Sequence, residues 1–112
     1  MSRLSLTTRV SLANAAEGWT DDQFLNFKVM DSDQSMDYSD EVKNVKGEDG
    51  RGYLELFKKY AKENFVDGKV LVDGKTVEAE IDDVDDLPAA ILTDIFYAIS
   101  RSKFSDPKAS TK

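Results

Sequence analysis

Carboxylates are the one abundant group with reactive character in this chain. Glu78, Glu80, Asp82, Asp83, Asp85 and Asp86 place six acids within nine residues. Oxygen ligands of that kind suit calcium or magnesium when a fold converges them on one point. Here Glu78 and Glu80 alternate with Val77, Ala79 and Ile81, so strand geometry sends the glutamates to the wet face. Asp86 stands where a helix N-cap is expected. A solvated acidic rim with a helix cap is the simpler reading. A glycosidase would need two carboxyls held across a cleft, and solvent-facing alternation builds none.

A second acidic stretch, Asp31-Ser-Asp-Gln-Ser-Met-Asp37, puts oxygen-bearing side chains at the first, third and fifth positions of a calcium loop. The pattern then fails. Met36 occupies the sixth position, where a glycine makes the turn, and Val42 occupies the twelfth, where a bidentate glutamate belongs, with Glu41 one place early. Calcium is not expected.

The chain has no histidine and no cysteine. That removes the usual general base at neutral pH, thiolate metal sites, disulfides and redox pairs. No Gly-rich phosphate loop or serine–histidine pair occurs either. No catalytic, cofactor-binding or metal-ligating residue is therefore assigned, no cofactor is expected, and the chain does not read as an enzyme.

With 22 Asp and Glu against 15 Lys and Arg, the formal net charge is −7. Such a balance disfavours nucleic acid and anionic membrane, both of which attract a positive surface. The first residues lack the apolar run of a signal peptide, and nothing approaches a membrane span. The expected compartment is the cytoplasm of the cell that makes it. At 112 residues one domain is expected.

The elements that would carry these groups centre on residues 87–101. Leu87, Ile91, Leu92, Ile95, Phe96 and Ile99 recur at helical spacing, giving an apolar stripe that must find partner surfaces. Asp86 would cap it, with Pro88 in the first turn. A second amphipathic helix is read over 51–65, with Tyr53, Leu56, Phe57, Tyr60, Ala61 and Phe65 on one face. This aromatic stripe could stack nucleobases, but its spacing and acidic flanks fit core packing better. Asp67-Gly68 reads as the turn that ends this helix.

Phe24–Met30 reads as a strand with Leu25, Phe27 and Val29 inward; a helix starting at Thr20 or Asp21 is the alternative. Lys69–Val72 and Thr76–Ile81 flank Asp73-Gly74-Lys75 and read as a hairpin, with Val77, Ala79 and Ile81 on its buried face. Residues 31–50 read as a long acidic loop with Met36, Tyr38, Val42 and Val45 as scattered apolar points, either tied down by them, with one short strand or turn near 36–38 or 42–45, or mobile and used in contact. Residues 1–18 read as a mobile arm or a short strand around Leu4, Leu6 and Val10. Trp19 is taken as a core anchor and residues 105–112 as a disordered tail. The architecture expected is α+β: a small single domain (19–104) with two main helices packed on a short antiparallel sheet from 24–30 and 69–81.

Taken in order, the aromatic helix Tyr53–Phe65, the stretch 66–75 with its Asp-Gly-Lys turn, the acidic connection Asp82–Asp86 and Leu87-Pro-Ala-Ala-Ile-Leu-Thr-Asp-Ile-Phe96 resemble the small tail assembly chaperones of long-tailed bacteriophages. The resemblance covers roughly residues 50–102, with a weaker match at Trp19–Val29. The acidic 31–50 insertion and the Val/Leu hairpin depart from it. What it implies is a virion-morphogenesis protein of the host cytoplasm. Such a protein binds the tape measure protein, keeps its hydrophobic helices from aggregating, helps recruit tail tube proteins and stays out of the finished particle. Family members can form homo-oligomers, and some are also made as a longer frameshifted product. Two other roles fit the same composition: a structural virion subunit (tail tube or head–tail connector), or an acidic adaptor or inhibitor that binds a basic protein.

Overall fold

Five apolar side chains of one helix, Ile91, Leu92, Ile95, Phe96 and Ile99, are buried, and the rest of the chain is arranged to cover them. The computed structural model describes residues 6–45 and 50–100. In chain order the elements are β1 (Thr7–Ser11), β2 (Phe24–Lys28), α1 (Ser32–Val42), α2 (Gly50–Asn64), β3 (Phe65–Val72), β4 (Lys75–Glu78), a 3-10 helix (Ile81–Asp86) and α3 (Ala89–Ser100). The strands form one open antiparallel sheet in the order β1-β2-β3-β4, with helices packed against it. The fold is α+β.

The expected inward face of β2 is correct at Leu25 and Phe27, both fully buried. Leu25 lies between Val10 and Gly68 in the register, and Val10 and Val70 join it in the core. The pairing shifts between Asn26 and Phe27, which leaves Phe27 opposite Phe65 and Val66 out of register. The two rings meet edge to face, centroids 6.1 Å apart, a favoured aromatic geometry. The outer face carries Arg9, Asn26 and Asp67 in one row. Asn26 accepts from Arg9 (3.3 Å) and donates to Asp67 (2.8 Å).

Of residues 1–18, Thr7–Ser11 form an edge strand, with Val10 and Leu12 buried. The Leu12 N–H donates to the Gln23 carbonyl at 2.9 Å, and Trp19 is half-buried against the core. Gln23 is itself buried. Its side chain accepts from the Thr20 N–H (2.8 Å) and donates to the Thr76 hydroxyl (3.0 Å). Replacing Gln23 by leucine removes both bonds and, because Thr20 and Thr76 are exposed, should cost about 1 kcal/mol of stability read by chemical denaturation. An unchanged midpoint would show that water replaces the amide without loss. The expected tail, 105–112, and Leu4 lie outside the described residues.

Several sequence expectations need correction. Residues 31–50 are not a loop throughout, because Ser32–Val42 is helical. Asp31 caps it: its carboxylate accepts the Gln34 N–H (2.9 Å) while the Gln34 side chain accepts the Asp31 N–H (3.3 Å), a capping box. Among the described residues there are thus three α-helices rather than the two expected.

Asp67-Gly68 is no turn but the middle of β3. Helix α2 passes into β3 directly, and the buried Asn64 side chain donates to the Tyr60 carbonyl (2.8 Å) to satisfy the helix end. Phe65 consequently belongs to the strand. The hairpin forms on two residues, Asp73 (φ 53°) and Gly74 (φ 80°), the left-handed pair of a tight type I′ reversal.

β4 ends at Glu78, and the expected buried face is only partly inside. Val77 and Ile81 are exposed, while Ala79 packs on the core. Asp86 does not cap α3. It closes the 3-10 helix, and Leu87 is extended (ψ 147°), as a residue before proline tends to be. The Pro88 carbonyl accepts the first helical bonds, from Ile91 and Leu92 (both 3.0 Å). At the far end the Met30 N–H donates to the Ile99 carbonyl (2.7 Å), tying α3 to the end of β2.

Candidate functional site

The two acidic stretches do not assemble a site. Glu78 pairs with Lys69 across the β3–β4 ladder. Asp82 and Asp85 both face Lys62 of α2, at 3.6 and 2.9 Å. Asp83 turns back to accept the Glu80 N–H at 2.7 Å. The rim thus holds the 3-10 helix against α2. Asp31 is spent on its cap, and Asp33 and Asp37 project from the exposed face of α1. Among the described residues no three Asp or Glu side chains could share a metal ion. Calcium titration should change neither the melting temperature nor the circular dichroism spectrum; a rise of several degrees would reinstate an oxygen-ligand site.

A shallow depression of about 430 Å³ lies on the outer sheet face, lined by Thr7, Thr8, Arg9, Asn26, Val66 and Asp67. Its polar groups are largely engaged with one another, and the Arg9 guanidinium lies 3.9 Å from the centre of the Phe24 ring. Among the described residues no buried side-chain nitrogen or oxygen lacks a partner.

The distinctive geometry is the seam where α1 meets α2 and α3. Helix α1 buries none of its residues. What holds it is a small set of side chains on one stripe. Tyr38 stands edge-on to Tyr60 (centroids 5.9 Å) and tilted on Phe96 (4.6 Å). Phe96 in turn stacks on Phe57 at 4.5 Å. One turn on from Tyr38, the Glu41 carboxylate takes a salt bridge from Lys59 (2.6 Å) and a short hydrogen bond from the Tyr60 hydroxyl. Gln34 reaches Glu63 at 3.4 Å. No family model matches the chain, and neither a curated protein nor a solved structure is detectably similar.

Electrostatics reinforce the seam. The Lys59 bond, followed by the Tyr60 bond, holds Glu41 below the usual carboxylate range. Glu41 raises Lys59 in turn. Burial, helped by the Glu41 bond, pushes the Tyr60 hydroxyl well above the usual phenol range, so it remains a donor at any physiological pH. Burial also raises Tyr38, with Tyr53 and Tyr97 close enough to add to the effect.

A group lowered in the folded state stabilises it fully above its ordinary pKa and loses that effect as pH falls through the lowered value. Lys59, raised by the same contact, contributes below its ordinary pKa and loses that contribution as pH rises through the raised value. Acidification below about pH 4 should therefore loosen α1, read as movement of the Tyr38 ring resonances in NMR spectra. Glu41→Gln should abolish that acid step; an identical titration in the variant would place its cause elsewhere.

Sequence reasoning took Tyr60 as a core residue and Tyr38 as a scattered apolar point, but missed the helix carrying Tyr38 and Glu41 and the contact they make together. Signals were present. Asp31 and Gln34 have capping-box spacing, and Tyr38, Val42 and Val45 recur at i, i+4 and i+7.

Proposed function

We propose that this chain is a non-catalytic protein-binding module that acts as a bacteriophage tail assembly chaperone in the host cytoplasm, binding the tape measure protein. The observation that supports the reading is the α1 seam. A helix with no buried residue is seated on α2 and α3 through an aromatic side chain and a carboxylate one turn apart, a surface chemically suited to receiving helices. Aromatic residues at the centre of a contact supply much of the energy of protein association. The net charge of −7 keeps such a protein soluble while it presents apolar surface. It also disfavours nucleic acid and anionic membrane as partners, and no described helix is long and apolar enough to cross a membrane.

Coexpression with a tape measure protein tests the proposal. The expected result is a several-fold gain in that partner's soluble fraction and its copurification; no gain would remove the chaperone reading. A second reading, a structural virion subunit, draws on the β4 edge, where Val72 and Val77 are exposed on a short outer strand pair. Unpaired strand edges are templates for assembly. Mass spectrometry of purified particles separates the two, since a chaperone is absent from them and a subunit is present in stoichiometric amount.

A further inference from the structure

Helix α1 is acidic, and of the lysines on the helix beneath it Lys59 meets α1 at Glu41 while Lys62 is turned to Asp82 and Asp85. Asp33, Asp37, Asp40 and Glu41 give α1 four acids and no base, while α2 carries Lys58, Lys59 and Lys62 along its second half. The surface under α1 combines Lys59 and the Tyr60 hydroxyl with the edge of Phe96. This surface accepts one aromatic ring and, three residues later, one carboxylate.

Among the described residues nothing else anchors α1 deeply. Met36 is 61% exposed, and the acids other than Glu41 are exposed. Elements with so few buried contacts open at lower free energy than the core they sit on. The groove left behind would be built on α2 and α3, where Ala61, Ile95 and Ile99 are buried, and its floor would be Tyr60 and Phe96, which α1 covers through Tyr38 and Glu41.

We infer that α1 is a displaceable, built-in occupant of an acceptor groove on α2 and α3, and that an acidic amphipathic helix of a partner protein, presenting an aromatic residue and a carboxylate three positions on, takes its place. Lys59 and the Tyr60 hydroxyl, which hold Glu41 here, select a carboxylate rather than a basic side chain at that position of the partner helix. The tether makes α1 a competitor at high effective concentration, so affinity for the partner is set by the fraction of chains in which α1 is off. Which protein supplies the helix rests on the function proposed above; the exchange of one helix for another does not.

The test uses the full chain and a fluorescent peptide reproducing residues 31–45 as the probe. Y38A/E41A in the chain removes both anchors of the resident helix while leaving Lys59, Tyr60 and Phe96. The expected result is peptide binding tightened about tenfold or more over the wild-type chain, and lost when the peptide itself carries Y38A and E41A. Equal binding to both chains, or none to a folded variant, would overturn the inference. Should the double variant fail to fold, hydrogen exchange on the wild type decides: α1 amides should exchange at least about tenfold faster than those of α3. Equal protection would show that α1 opens only with the whole domain. Failure of coexpression with a tape measure protein, alongside a positive peptide result, would dispose of the chaperone reading and leave the groove.

Discussion

Replacing Gly68 by alanine is expected to separate β2 from β3 and to lower the melting temperature by about 12–24 °C. A Cβ built on Gly68 would lie 2.3 Å from the Phe24 carbonyl oxygen, 2.8 Å from Leu25 Cδ2 and 2.9 Å from Leu25 Cα. Two of those three atoms are backbone, so no rotamer change relieves the overlap, and the strands must move apart. The strand opposite carries Leu25, one of the fully buried residues of the core, which makes the movement costly throughout. A loss of about 3 kcal/mol or more follows, at the upper end of what point substitutions do and a large share of the 5–15 kcal/mol typical of a domain. Gly50→Ala is the control. Its added methyl meets nothing within 4 Å, so its melting temperature should stay within a few degrees of wild type. Similar melting of the two variants would mean that the β2–β3 spacing is slack.

Phe27→Ala has the other large effect, for the opposite reason. Phe27 is fully buried, opposite Phe65 and edge-on to its ring. Truncation removes the transfer free energy of the ring and leaves a cavity beside a bulge in the sheet. Losses of about 3–5 kcal/mol are usual for such changes. In a domain this small that corresponds to a fall of roughly 12–40 °C in thermal melting. Val66→Ala, one residue along the same bulge but exposed, should alter stability by no more than about 0.5 kcal/mol. If the two variants melted together, Phe27 would not be part of a closely packed core.

These substitutions differ in how far they could have been foreseen. Phe27 was legible: the parity of Leu25 and Phe27 placed both inward before any partner strand was known. Gly68 was not. Asp-Gly is a strong local turn signal, and Asp73-Gly74 obeys it, with both residues at positive φ. Asp67-Gly68 carries the same dipeptide inside a strand. There the glycine serves close approach to Phe24 and Leu25, neighbours that lie more than forty residues earlier in the chain.

The candidate seam divides in the same way. Tyr60 and Phe96 lie on apolar stripes and were read as core; both are buried. Tyr38 and Glu41 sit on a helix too polar for hydrophobic periodicity to stand out, and their partners, Lys59, Tyr60 and Phe96, come from two other helices. The six acids from Glu78 to Asp86 gave a strong compositional signal and little chemistry. Lys62, from another element, divides their charge, and Asp83 is held in a local turn.

The amino-acid order alone determined α3, the inward face of β2 and the Asp73-Gly74 reversal. Each depends on a period or a backbone preference that acts over a few residues. Tertiary structure alone decided that α1 is clasped at Tyr38 and Glu41, that Gly68 is pressed against β2, and that Val77 stays outside. Those outcomes depend on which distant surfaces meet and how closely, and neither a local period nor a dipeptide preference carries that information.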